Sequence, residues 1–288
     1  MAPLRRMALY VTHLRLPFQL TLAPIFLWGA MLSGGRWDGG TTAAFIALHL
    51  FLYPAATAFN SAYDKDEGPV SGLEQPPEAP PGLLAFALLV GAAGALVAAA
   101  AGWGFLIVYA LIVAWTAAYS HPATRWKASP WQSAAAIALG QGVLGFAAGW
   151  AAAALLDPRD PALLAGALGA ALTALGLYPA TQVFQVEEDR ARGDRTLAVA
   201  LGPARALRFG ALCLLAAGAV TAWLVARCFG PSDAVLIVLG YFGLSLAVER
   251  LARIGASDPS LYRRAMRITR WGTAGFLLFL ALQAVGSG

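Results

Sequence analysis

Charged residues are scarce in this chain of 288 residues: Asp, Glu, Lys and Arg make up 12% of it, whereas hydrophobic residues make up 59%. Soluble proteins carry roughly 25% charged residues. The few charges are also bunched, so that seven long segments contain none: 16–35, 39–63, 79–124, 128–156, 161–186, 209–226 and 271–288. A soluble fold of this size could not hide so much apolar surface, and the composition excludes that class.

Cysteine is nearly absent as well, with Cys213 and Cys228 as the only two. If both lie on one helix, they are roughly 22 Å apart at 1.5 Å per residue. That distance is too long for a disulfide bond. The sequence therefore predicts neither a disulfide nor a thiolate metal site.

The uncharged segments have the length of membrane-spanning helices. A bilayer core requires about 20 apolar residues per helix. The segment 79–124 is long enough for two spans, and a shorter run at 234–248 completes the set. None of these runs shows the alternation of a membrane β-barrel strand. The sequence predicts an all-α integral membrane protein, with nine transmembrane helices in one domain over residues 1–288.

Basic residues are not spread evenly over the predicted loops. When the loops are assigned alternately to two sides of the bilayer, 17 of the 20 Lys and Arg residues fall on the side of the N-terminus. Such a bias marks the cytoplasmic side. We therefore expect a cytoplasmic N-terminus, an external C-terminus, a bacterial inner membrane as the location, and no nucleic acid partner. This side also carries the predicted cap loops, approximately 64–82, 121–130, 187–208 and 253–270.

The first of two acidic clusters lies at the cytoplasmic end of the second predicted span. At about 100° per residue, Asn60, Asp64 and Glu67 fall on one helical face. Asp66 lies off that face unless the helix has already ended, which the Gly-Pro pair beginning at Gly68 favours. The cluster predicts a group of side-chain oxygens at a helix end.

The second cluster lies at the end of the sixth predicted span, where Gln182, Gln185 and Asp189 share a face and Glu188 is adjacent. Carboxylates and amides are ligands that Mg²⁺ takes alongside phosphate oxygens and waters. Two such clusters on one side could hold Mg²⁺ against a diphosphate. Four basic residues on the same side could neutralise the remaining charge, namely Arg125, Lys127, Arg192 and Arg195.

Two alternatives to a functional site remain open at this point. Acidic residues at helix ends are often merely solvated, although amides within a span are costly unless they face a polar interior. Aromatic residues border the clusters and could shield a carbocation or belong to the interfacial aromatic belt. Those next to the clusters include Tyr63, Tyr119 and Tyr178.

Three segments together resemble the UbiA-type intramembrane prenyltransferase family. They are Asn60 with Asp64 after span two, residues 119–127 (YSHPATRWK) after span four, and residues 188–202 (EDRARGDRTLAVALG) after span six. The third segment is the most specific, and the likeness extends over the whole chain. It implies nine helices around a central cavity, a lateral opening to lipid, and Mg²⁺-dependent ionisation of an allylic isoprenoid diphosphate.

The resemblance also implies roles for single residues. Asn60 and Asp64 would hold one Mg²⁺ ion, and Asp189 would help to hold a second. Arg125, Lys127 and Arg195 would grip the diphosphate. Tyr63, Tyr119, Tyr178, Gln182 and Gln185 would border the cavity for the acceptor.

The chain departs from the family motifs NDxxDxxxD and DxxxD at three positions. Ser61 and Gly68 replace two Asp residues of the first motif, and Gln185 replaces the leading Asp of the second. Neighbouring carboxylates could compensate as ligands: Asp66, Glu67 and Glu188. Because the amide of Gln185 cannot act as a base, these departures predict a divergent subgroup.

The leading hypothesis is transfer of an isoprenoid chain from its diphosphate to a lipophilic acceptor, expected to be aromatic. A membrane terpene cyclase would use the same site without an acceptor. A lipid transporter or carrier-binding protein without turnover is the third hypothesis. Transport would favour polar groups along the whole path, whereas here one side of the membrane holds nearly all of them.

Overall fold

The computed structural model describes residues 3–255 and 258–286, and in those ranges the chain is helical, with a single isolated β-bridge between Val70 and Leu73. We number the helices in chain order: α1 Pro3–His13, α2 Leu16–Gln19, α3 Ala23–Leu32, α4 Gly39–Asp64, α5 Leu83–Ala99, α6 Trp103–Ser120, α7 Pro130–Ala153, α8 Pro161–Gln182, α9 Val186–Arg192, α10 Leu197–Leu201, α11 Pro203–Cys228, α12 Pro231–Leu251 and α13 Leu261–Gly286. Helices α4 and α7 each contain a π-helical stretch, Ala47–Leu52 and Ala138–Leu144.

Seven of these helices are long and apolar enough to cross a bilayer, namely α4, α6, α7, α8, α11, α12 and α13, and the chain is an integral membrane protein. Helix α5 is apolar but has only 17 residues. The first predicted span is broken by a 3₁₀ turn at Leu20–Leu22. Pro24 stands at the start of α3, where it lacks the N–H that would continue α2. The described residues therefore do not confirm the predicted count of nine.

The loops predicted on the cytoplasmic side contain more helix than expected. The segment 187–208 holds α10, most of α9 and the first turn of α11. In the segment 253–270, α13 already begins at Leu261, and positions 256 and 257 lie outside the described residues. The segment 64–82 is irregular, as its five prolines predict, and the segment 121–130 consists of turns with a short 3₁₀ helix at Trp126–Ala128.

Helices α3 and α7 cross at very close range through glycines. A Cβ atom on Gly149 would lie 1.8 Å from the carbonyl oxygen of Phe26, and one on Gly29 would lie 2.0 Å from that of Phe146. Small residues let membrane helices approach in this way. The contact joins the N-terminal part of the chain to the middle of the helical bundle.

The helices enclose a cavity of about 890 Å³, lined mainly by apolar side chains of α3, α4, α6, α7, α8, α12 and α13. Gln182 and Gly169, both on α8, line the cavity. Because they are 13 helical residues apart, the cavity extends roughly 20 Å along this helix. On one side Gly240 and Gly243 of α12 and Gly275 of α13 leave open space, and the lining residue Trp271 is 71% exposed. The cavity therefore reaches the protein surface along α12 and α13.

Candidate active site

The end of α4 places the first acidic cluster at the polar end of the cavity. The helix ends at Asp64, and Lys65 takes a left-handed conformation with φ of 50°. This turn brings Asp66 back against the cavity, where it is buried. Asn60, Asp64 and Asp66 line the cavity, whereas Glu67 is exposed and does not.

The second cluster comes from the end of α8 and from α9. Helix α8 ends at Gln182 and α9 begins at Val186, yet Gln182, Gln185 and Asp189 all line the cavity. The Nε2 atom of Gln182 donates to the hydroxyl of Tyr178 at 2.6 Å, and that hydroxyl lies 3.2 Å from the hydroxyl of Tyr119. The Oε1 atom of Gln182 is buried and has no partner among the described residues.

Arg192 joins the two clusters. Its guanidinium forms ion pairs with Asp66 and, at 2.9 Å, with Asp189, and it also donates to the backbone carbonyl of Asp64 at 3.4 Å. Burial raises the pKa of Asp66 and of Asp189, and the Arg192 ion pairs partly oppose that rise. Carboxylates from α9 and from the segment after α4 therefore meet at one cation.

Two further cations come from the turn between α6 and α7. The ammonium of Lys127 donates to Oδ1 of Asn60 at 2.7 Å and forms an ion pair with Asp64. Burial lowers the pKa of Lys127, although Asp64 opposes the shift. Arg125 binds Asp194 through two hydrogen bonds of 3.1 and 2.8 Å, and it reaches Asp64 at 3.5 Å.

Backbone strain is concentrated around this site. Among the described residues other than glycine, three have positive φ: Arg15, Lys65 and Arg125. Left-handed conformations are unfavourable for such residues and persist where the surroundings enforce them, often at functional sites. All three lie in the segments that carry the polar end of the cavity.

Several polar residues of the cavity lining were not among the predicted site residues. Arg15 is buried and donates to the hydroxyl of Ser61 at 2.7 Å, so the serine that replaces a family Asp accepts a hydrogen bond from a cation. Asp194 pairs with Arg125, and Thr196 donates to Asp189 at 3.1 Å. The adjacent Gly193 was a signal for Asp194, because a left-handed glycine turns the chain back after α9.

Five predicted site residues do not line the cavity: Tyr63, Glu67, Arg125, Glu188 and Arg195. Of these, Arg125 still reaches the carboxylate of Asp64 at 3.5 Å. Arg195 is exposed, and its backbone N–H donates to the carbonyl of Ala128 at 3.0 Å. Tyr63 packs against Phe59 and His121. Glu67 points to solvent, and the carboxylate of Glu188 accepts hydrogen bonds from backbone N–H groups of the loop after α4.

The donor set fits Mg²⁺ bound together with a phosphate ligand. In the part of the chain that the structure describes, no three His, Cys, Asp or Glu side chains form a ready-made metal group. However, Mg²⁺ commonly takes one or two carboxylates and completes its shell with phosphate oxygens and waters. Asn60, Asp64 and Asp189 present such oxygens beside cations at the polar end of an apolar cavity, and this donor set suits Mg²⁺ bound together with a phosphate group.

The sequence profile of the UbiA prenyltransferase family matches residues 22–280. A UbiA homolog from Archaeoglobus fulgidus, bound to DMAPP and Mg²⁺, superposes with a TM-score of 0.67 at 19% identity, covering 94% of this chain and 99% of that one. The same homolog bound to GPP and Mg²⁺ gives a TM-score of 0.66 at 18% identity, with 95% and 99% covered.

A third similar structure is that of a digeranylgeranylglyceryl phosphate synthase, with a TM-score of 0.66 at 15% identity and coverage of 98% of this chain and 99% of that one. At these identities the structural likeness shows the fold. No curated protein sequence matches the chain significantly.

Proposed function

The chain belongs to the UbiA prenyltransferase family, and on that premise we propose that it ionises an allylic isoprenoid diphosphate with Mg²⁺ and transfers the prenyl chain to a lipophilic, aromatic acceptor. The observation that carries the proposal is the meeting of Asp64, Asp66 and Asp189 around Arg192 at the polar end of an apolar cavity. Structures of UbiA homologs bound to GPP or DMAPP with Mg²⁺ support it.

We assign the ion-binding groups to both clusters. Asn60 and Asp64 would hold one Mg²⁺ ion and Asp189 the other, with Asp66 beside them. Bound there, Mg²⁺ acts as a Lewis acid that stabilises the negative charge of the departing diphosphate. Lys127, Arg125 and Arg192 contact these carboxylates and would donate to the phosphate oxygens of the bound substrate.

The proposed reaction breaks the bond between C1 of the prenyl chain and the diphosphate oxygen, and the electron pair leaves with the diphosphate. A ring carbon of the acceptor then donates an electron pair to C1, and the ring loses its proton to the released diphosphate. The apolar cavity keeps water from the allylic cation. Tyr119 and Tyr178 border the reacting end and offer aromatic faces to the cation.

The remaining architecture follows from the same proposal. The broken segment α2–α3 and the short helix α5 would complete nine crossings with the seven long helices. The N-terminus would lie in the cytoplasm and the C-terminus outside, in a bacterial inner membrane. The prenyl tail would enter from lipid where the cavity reaches the surface along α12 and α13.

The test of this function is product analysis on the purified protein in nanodiscs. We expect C10, C15 or C20 diphosphates to release diphosphate with Mg²⁺ and to yield a prenylated product when phenolic acceptors are added. Cyclic hydrocarbon without an acceptor would instead identify a terpene cyclase. Binding of the diphosphate without any release would identify a carrier and would contradict the proposal.

The unpaired oxygen of Gln182 favours an acceptor over cyclisation. A buried acceptor atom without a partner costs free energy, and a hydroxyl on the second substrate would satisfy it. Gln182→Leu is expected to raise the acceptor KM roughly five-fold, the equivalent of a hydrogen bond worth about 1 kcal/mol. Acceptor titration measures it, with Gln141→Leu, elsewhere on the cavity wall, as the control. An unchanged acceptor KM in Gln182→Leu would contradict this role.

A further inference from the structure

The carboxylate of Glu188 binds the backbone of the opposite cluster. Its Oε1 atom accepts from the N–H of Glu67 at 2.9 Å, and its Oε2 atom accepts from the N–H of Gly68 at 3.2 Å. These residues are about 120 positions apart in the chain. Both oxygens of Glu188 are therefore engaged by the loop that follows α4, and the side chain does not line the cavity.

Glu188 acts on this loop together with Arg192, which lies one turn further along α9. Arg192 donates to the carbonyl of Asp64 and pairs with Asp66. Arg192 thus holds the loop at the carbonyl of Asp64 and the carboxylate of Asp66, and Glu188 holds it at the N–H groups of residues 67 and 68. Because Lys65 lies in a strained left-handed conformation, such external contacts are needed to keep the turn in place.

Gly68 leaves the space that the Glu188 carboxylate occupies. A Cβ atom at this position would lie 2.9 Å from Oε2 of Glu188, closer than real Cβ contacts. Since that oxygen ends a flexible side chain, an added methyl group would displace the carboxylate without disturbing the fold. Gly68→Ala therefore offers a way to remove the hydrogen bonds without changing Glu188 itself.

We propose that Glu188 is a positioning residue rather than a metal ligand: it fixes the 64–68 turn so that Asp64 and Asp66 face the ion site before an ion arrives. This inference rests on the proposed function only for its catalytic readout. Residues that orient metal ligands typically change metal affinity 10–100-fold when they are removed. Glu188 would couple the two halves of the site through the backbone.

A double-mutant cycle tests whether positions 68 and 188 act through the same contact, and hydrogen exchange without metal then separates positioning from metal ligation. Glu188→Ala is expected to raise the Mg²⁺ concentration for half-maximal diphosphate release about 10-fold, with the rate at saturating Mg²⁺ within about two-fold of wild type. Gly68→Ala should give the same shift in the wild-type chain and almost none in Glu188→Ala. A Gly68→Ala shift that persists in Glu188→Ala would show that the two positions act independently and would overturn the proposal.

A second readout needs no metal and no turnover. Hydrogen–deuterium exchange of the metal-free protein should be about 10-fold faster at the amides of residues 67 and 68 in Glu188→Ala and in Gly68→Ala. The matched control is Glu187→Ala, because that side chain is exposed and pairs only with Arg190 among the described residues. Unchanged exchange in both variants would refute the positioning role. A wild-type protein that releases no diphosphate would refute the proposed function instead, and the exchange result would still decide this one.

Discussion

Asp64→Ala and Asp189→Ala are each expected to lower Mg²⁺-dependent diphosphate release by on the order of 10³-fold or more, while the protein still inserts and folds. Each change removes the principal carboxylate of one cluster, and with it an oxygen ligand for an ion that neutralises the leaving group. Loss of either ion leaves developing negative charge uncompensated in a site that excludes water. The measurement is the initial rate of diphosphate release over a range of Mg²⁺ concentrations.

Asp64→Asn guards against a trivial loss of folding, because Ala at this position leaves the buried ammonium of Lys127 without its carboxylate. The amide keeps the shape and an oxygen but loses the charge, and we expect a similar loss of rate. Glu187→Ala is the control for an exposed carboxylate on the same helix as Asp189. Wild-type rates in both alanine variants would defeat the assignment of Asp64 and Asp189 as ion ligands.

Arg192→Met is expected to destabilise the metal-free protein and to make its stability depend on Mg²⁺. Removing this cation leaves the buried carboxylates of Asp66 and Asp189 facing each other without compensation, and breaking such pairs costs about 3 kcal/mol. We expect Tm in EDTA to fall by about 5–10 °C. Added Mg²⁺ should recover part of the loss, because the ion replaces the missing positive charge.

Thermal unfolding followed by intrinsic fluorescence, in EDTA and in Mg²⁺, checks this result. Arg190→Met is the matched control, since Arg190 is on the same helix and pairs only with the exposed Glu187 among the described residues. If Arg192→Met lost the same stability with and without Mg²⁺, its partners would not be ion ligands. If it lost none, Arg192 would not bridge the two clusters.

Much of the site could be predicted from the sequence because helical spacing is local. The spacing of Asn60 and Asp64 placed both on one face, and the Gly-Pro pair after Glu67 predicted the helix end that lets Asp66 line the cavity. The second cluster also lines the cavity, although α8 and α9 are separate helices. The prediction assumed that Gln182, Gln185 and Asp189 lie on one face of a single helix. The turn between α8 and α9 keeps all three on the cavity side.

The residues that sequence analysis missed depend on contacts between distant segments. Arg15 reaches Ser61 across 46 positions, and no local spacing reports such a pair. Gly193 reverses the chain with φ of 79°, so that Asp194 faces the cavity and Arg195, its neighbour, faces outward. The direction of a side chain after a turn is set by turn geometry, which residue types alone do not give.

The first predicted span is a feature of the fold that sequence analysis predicted incompletely. Hydropathy predicts one continuous helix over 16–35, but Pro24 and the 3₁₀ turn divide it. Hydropathy is averaged over a window of residues, so it does not show that the backbone N–H of a helix is missing at Pro24. Phe18, Leu22 and Ile25 line the cavity all the same, at the i, i+4 and i+7 spacing of one helical face.

The most direct test of ion binding is anomalous scattering from Mn²⁺ in crystals grown with a non-hydrolysable isoprenoid diphosphate analogue. We predict two ions at the polar end of the cavity, one within about 2.1 Å of an Asp64 oxygen and one at that distance from an Asp189 oxygen, both bridging to the diphosphate. Ions located away from both aspartates, or a diphosphate bound without ions, would contradict the account.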